Sequence, residues 1–83
     1  MTKAVHEVVE HWPGWTVGKG SARKYLSDGR FIMIRERSNH MVVMLGDQGN
    51  GDRWNKFPKT REGAWSAFNI ANFMAGLYGG WAK

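Results

Sequence analysis

The hydrophobic positions of this chain follow a helical spacing at each end and a strand-like one between, which predicts a helix, a set of strands and a second helix. Ala4, Val5, Val8, Val9 and Trp12 fall on one helical face, with Thr2 placed to cap it and Pro13-Gly14 to stop it. The valines are β-branched and would also suit a strand. Trp15-Thr16-Val17 reads as a brief extended piece, and Gly18-Lys19-Gly20-Ser21 as a flexible basic loop. From Arg23 the pattern becomes strands punctuated by turns. Lys24-Tyr25-Leu26 runs into the hairpin signal Ser27-Asp28-Gly29, and residues 30–37 form the next strand. Ser38-Asn39 turns the chain into Met41-Val42-Val43-Met44-Leu45. A Gly/Asn/Asp-rich loop over 46–52 leads to Arg53-Trp54-Asn55-Lys56-Phe57, closed by Pro58.

Thr60 then caps a helix running from about Arg61 to about Tyr78, with Glu62 near the positive end of its dipole. Trp65, Phe68, Ala71, Asn72 and Ala75 are expected on one side. Ile70, Phe73, Met74 and Leu77 widen the apolar surface beyond one stripe. The fold class is therefore α+β: one small domain over residues 1–83, with an antiparallel sheet of three or four strands packed by the C-terminal helix. A short N-terminal helix precedes it, giving the order α-β-β-β-α.

Charge sharpens this picture. The net charge is +5, and ten of the twelve Lys and Arg residues lie between Lys19 and Arg61, whereas Gly63 to Ala82 carries no charge. A basic body points to a polyanionic or acidic partner. The uncharged tail must be buried in this chain's own core or in another copy. Its twenty residues are enough to span a bilayer, but Ser66, Asn69, Asn72 and four glycines make it only mildly apolar, so no membrane span is expected. The chain has no cysteine, so it has neither disulfide nor thiolate metal site. That fits a reducing, cytoplasmic setting, as does the lack of a secretory apolar run near Met1.

Strand alternation gives the basic residues a direction. Phe31, Met33, Arg35 and Arg37 share one face of their strand and Ile32, Ile34 and Glu36 the other; Trp54 and Lys56 oppose Arg53, Asn55 and Phe57. Placing Ile32, Ile34 and Phe57 under the helix turns Arg35, Arg37, Trp54 and Lys56 outward. Such a face suits nucleic acid, because Lys and Arg displace counterions from phosphates, Arg reads guanine edges and Trp stacks on bases. Lys19, Arg23, Lys24, Lys59 and Arg61 would neutralise phosphates around it. The same pattern also reads as a solvated sheet face that keeps a small protein dissolved.

Arg53-Trp54-Asn55-Lys56-Phe57, followed by Thr60, Glu62, Ala64, Ala67 and Ala71, resembles the last strand and helix of three-strand-plus-helix DNA-binding modules. These include the apetala/ethylene-response-factor domain and the arm-site-binding domain of tyrosine-family integrases. The resemblance covers about residues 30 to 75. It implies that the outer sheet face enters the DNA major groove, with Arg35, Arg37, Trp54 and Lys56 facing the DNA. The 46–52 loop and the N-terminal segment depart from that pattern. The order α-β-β-β-α also looks like the double-stranded-RNA-binding domain, in which Lys56, Lys59 and Arg61 would occupy the phosphate-gripping place, though the Gly and paired-Lys signature of that family is poorly matched.

Catalytic and metal motifs do not emerge. The 46–52 loop lacks the strand-to-helix setting and lysine of a phosphate loop, and Asp47 and Asp52 miss calcium-loop spacing. His6 and His11 are five apart and share no helical face; no serine sits in a nucleophile elbow, and the glutamates form no acid/base pair. The chain is thus expected to be non-enzymatic and without cofactor or metal, binding nucleic acid, DNA ahead of RNA. The alternative is a phage-type protein-binding inhibitor of host machinery, of which anti-CRISPR proteins are one kind, directed at an acidic host protein or a ribonucleoprotein. Trp65, Tyr78 and Trp81 would then form the interface, with Trp81 on a flexible Gly79-Gly80 hinge and homodimerisation as another use of the surface. As core residues the same aromatics would simply cover the sheet.

Overall fold

The computed structural model describes residues 3–46 and 52–83, without the side chains at positions 4 and 52–55. Thr2 as a cap, most of the 46–52 loop and the Trp54 side chain lie outside the described residues. The fold is α+β. Helix α1 spans Lys3–Val9, strands β1 to β5 span Thr16–Gly18, Ser21–Tyr25, Phe31–Glu36, Met41–Leu45 and Asp52–Phe57, and helix α2 spans Arg61–Leu77. The strands form one antiparallel meander in chain order, with α2 across β3, β4 and β5 and α1 beside α2.

The N-terminal periodicity is met: Val5, Val8, Val9 and Trp12 are buried. The regular helix stops at Val9, and the segment continues as a tighter turn in which His11 N–H donates to the Val8 carbonyl (3.1 Å) and Trp12 N–H to that of Val9 (3.0 Å). Among the described residues the sheet has five strands, one more than the upper expectation. Gly18-Lys19-Gly20-Ser21 is a tight hairpin, since Gly18 pairs with Ser21 and only Lys19 and Gly20 lie between them. Gly20 makes that turn with φ +86°, a conformation open to glycine without a Cβ penalty.

One face of the sheet carries Ala22, Ile32, Ile34, Met41, Val43 and Leu45, all buried, together with partly buried Phe57. Against it α2 sets Gly63, Ala64, Ala67, Ala71, Met74 and Ala75. The expected helix face is corrected here: small residues line the sheet side, and Trp65, Phe73 and Leu77 are exposed. Alanines let the helix axis approach the sheet closely, and the aromatics are displaced to the flank. There Trp12, Trp15, Trp65, Phe68 and Trp81 form one ring cluster, with centroids 4.6 to 6.3 Å apart.

Both ends of α2 are fixed by specific contacts. Thr60 is extended and its hydroxyl accepts from Gly63 N–H at 3.0 Å. Thr60→Ala is expected to lower stability by about 1 kcal/mol, read in thermal denaturation as a midpoint lower by roughly 4–8 °C for a domain of this size. At the other end Gly80 N–H donates to the Ala75 carbonyl (2.7 Å), with Gly79 at φ +90°, which is a Schellman termination.

The expected flexible hinge is therefore also corrected. Ser27 N–H reaches the Gly80 carbonyl (3.0 Å), Ala82 N–H reaches that of Tyr25 (2.9 Å), and Trp81 pairs with Leu26. The tail is stitched to the β2–β3 hairpin.

Candidate nucleic-acid interface

Because α2 covers one face of the sheet, the alternating side chains emerge on the other. Register places them in three rows. Ser21, Arg35, Val42 and Lys56 form the first; Thr16, Arg23, Met33, Met44 and position 53 form the second; Tyr25 and Phe31 form the third. Arg35 and Lys56 are exposed and lie two strands apart, so their Cα atoms are about 10 Å from each other. Val42, between them, is fully buried, and so nearly is Met44, although neither belongs to the core beneath α2. The face thus has an apolar interior with cations at its margin.

Arg23 is partly buried, with its guanidinium carbon 5.2 Å from the Phe31 ring centroid. That contact holds the cation beside the aromatic row. A register shift between Val43 and Met44 changes the last strand. Arg53 stands opposite Met44 and Lys56 opposite Val42, so both occupy register positions of the open face. Simple alternation had opposed them. Trp54 stands at the irregularity with no register partner on β4.

The other sequence candidates are scattered. Lys19 is exposed at the tip of the β1–β2 turn, and Arg61 is exposed in the first turn of α2. Arg37 is partly buried just beyond β3, where its N–H donates to the His40 carbonyl at 2.7 Å. Lys24 pairs in register with Ile32 and belongs to the α2 side. Its Nζ donates to the Pro13 carbonyl (3.0 Å) and lies 5.0 Å from the Trp81 centroid. Lys59 Nζ donates to the carbonyls of Arg37 (3.0 Å) and Ser38 (3.2 Å) and stands 3.9 Å from a Glu36 carboxylate oxygen. This ammonium ties the start of α2 to the β3–β4 turn.

Arg30 is committed as well. Its Nε donates to Asp28 at 2.9 Å, a second nitrogen lies 2.8 Å from the same oxygen, and its guanidinium carbon is 4.9 Å from the Tyr78 centroid. The side-chain hydrogen bond from Arg30 is the main cause holding the Asp28 carboxyl below its ordinary pKa.

The open face consequently consists of Arg23, Arg35 and Lys56 with Tyr25, Phe31, Ser21 and Thr16. Tyr25, Ser21 and Thr16 escaped the sequence reading, which has Phe31 on the face of Arg35. Tyr25 shares the parity of Arg23, but the strand read as Lys24-Tyr25-Leu26 before the Ser27-Asp28-Gly29 turn is too short for alternation to assign its faces. Of the expected protein-interface residues, Trp65 is exposed, Tyr78 is partly buried under Arg30, and Trp81 is partly buried with its Nε1 donating to Asn72 (2.9 Å).

Among the described residues there is no group of three or more His, Cys, Asp or Glu side chains placed to hold a metal ion. Among them, too, no helix is long and apolar enough to cross a membrane. Comparison of the chain with protein-family models, curated proteins and solved structures finds no match.

Proposed function

We propose that this chain is a non-enzymatic, cytoplasmic nucleic-acid-binding module, with DNA ahead of RNA, and that it binds through the sheet face opposite α2. The observation that carries the reading is the placement of Arg23, Arg35 and Lys56 on that one face. Cations on such a face can neutralise phosphates while the exposed Tyr25 ring offers a surface to a sugar or base. Lys19, exposed at the adjacent hairpin tip, extends the positive field.

The test is the salt dependence of binding to labelled oligonucleotides. Log affinity is expected to fall linearly with log salt, by roughly 0.9 per phosphate contact on duplex and roughly 0.7 on a single strand. No binding to either form at low salt overturns the proposal.

A second reading has its own observation. The outward side of α2 exposes Phe73 (67 %), Leu77 (60 %) and Trp65 (47 %) within a segment free of charge. A protein partner, or a second copy of the chain, could cover such a side in the manner of an inhibitor or adaptor. An affinity-purified complex that survives nuclease digestion favours this helix surface; one that dissolves on digestion favours the basic sheet.

A further inference from the structure

We infer that the ligand of the open face is an unpaired strand, DNA or RNA, and that Tyr25 is the residue on which its base stacks. This rests on the nucleic-acid reading above and departs from the duplex-groove docking that the sequence resemblance implies. Tyr25 is 48 % exposed on the open face, cross-strand from Phe31, with their rings edge to face at 5.6 Å.

The two rings differ in availability. Phe31 is partly buried, has Arg23 over it at 5.2 Å, and packs so closely on Gly46 that a Cβ there would overlap its ring. Phe31 is therefore a fixed wall. Tyr25 leans on that wall and retains free ring surface, so a base that stacks there meets a positioned platform.

The cations stand in the right relation to it. Arg23 is two residues along the same strand, about 6.7 Å away, and Arg35 lies in the following row. A single strand can therefore set a base on Tyr25 and run its phosphates toward Arg23, Arg35 and Lys56. A duplex cannot use the ring in this way. Its base faces are already stacked inside, and it offers a protein only phosphates, sugars and groove edges. An exposed aromatic beside cations supplies what an unpaired base lacks in water, a second stacking surface.

The experiment is fluorescence anisotropy at about 0.1 M salt, near physiological screening, with labelled oligothymidine, oligouridine, a matched duplex and an abasic strand of equal charge. The unmodified protein is expected to bind at least one of the two single strands roughly fivefold or more tighter than the duplex. Tyr25→Ala is expected to weaken the preferred strand roughly 5- to 150-fold, the range that removal of one stacking platform spans, and to leave the abasic strand unaffected. Tyr25→Leu keeps an apolar body beside Phe31 and is expected to lose the same amount, which separates stacking from sheet packing; circular dichroism confirms that both variants are folded.

Duplex binding as tight as strand binding overturns the inference, as does an equal loss on the abasic strand or no loss on any. In those cases salt-dependent binding remains and the basic-face reading stands. Absence of binding to all four ligands removes both. A preference between oligothymidine and oligouridine tells which of the two strands is the ligand.

Discussion

Replacing Arg35 and Lys56 together by glutamate is expected to weaken binding to a single strand by roughly 25-fold at about 0.1 M salt, and to a duplex by roughly 60-fold. Each phosphate contact gives log affinity a slope of about 0.7 or 0.9 per decade of salt, so two contacts are worth about 1.4 or 1.8 decades between 1 M and 0.1 M. Repulsion from the new carboxylates adds to that loss. Both side chains are exposed, so the change does not act by emptying the core. The net charge does fall from +5 to +1, and long-range attraction falls with it. The matching control is Lys3→Glu with Lys83→Glu, which produces the same net charge from exposed positions on α1 and at the C-terminal end. Titration of one labelled strand against both double variants decides the matter. A loss confined to the Arg35/Lys56 variant, with a salt slope shallower by about 1.4, supports the sheet face. Equal losses would mean that the protein attracts nucleic acid only by its overall charge.

The residues chosen for that variant show how far the sequence could be read. The alternation of Ile32 and Ile34 with Met33 and Arg35 assigns β3 its two faces without ambiguity, and those faces are observed. Strand β4 gives no such signal, because all five of its residues are apolar and all five are buried. Only pairing with β3 tells that Val42 and Met44 belong to the open face and Met41, Val43 and Leu45 to the core. The irregularity opposite Val43 and Met44 was illegible for the same reason. It is a property of two strands in register, and it alone gives Arg53 and Lys56 register positions of the same parity.

Charge counted along the chain misled differently. Lys24 and Lys59 look like Arg35 in a sequence, yet their ammonium groups end on backbone carbonyls contributed by segments 11 to 22 residues away. A cation that has already found acceptors has less to offer a phosphate. In α2 the helical spacing puts Trp65 and Phe68 on one side with Ala71 and Ala75, and Phe73 and Leu77 in a wider apolar surface. What faces inward was decided instead by the closeness of helix and sheet, which admits Ala64, Ala67 and Ala71 and expels Trp65 and Phe73.

That closeness predicts opposite outcomes for one substitution at two positions of α2. Gly63→Ala is expected to destabilise the protein by about 1–3 kcal/mol, the usual cost of forcing extra volume into a packed site. Gly76→Ala is expected to stabilise it by up to about 1 kcal/mol. Both glycines are helical without positive φ, so intrinsic propensity alone predicts a gain at each. Their surroundings decide the sign. A Cβ at Gly63 would come well inside 3.0 Å of the Pro58 carbonyl oxygen and 2.9 Å from its carbon, whereas at Gly76 it meets nothing within 4 Å. The obstructing atoms at Gly63 are backbone, so relief requires moving the Pro58–Thr60 segment or lifting the first turn of α2. Either movement disturbs the Thr60 cap and the Lys59 bonds to the β3–β4 turn, which is why the clash outweighs the propensity gain. An 83-residue domain has about 4–12 kcal/mol of stability in all, so the loss is a large share of it. Urea denaturation of the two variants reads the result as midpoints displaced in opposite directions. A Gly63→Ala midpoint at or above that of the unmodified protein would mean that α2 does not seat against Pro58 as closely as its buried alanines require.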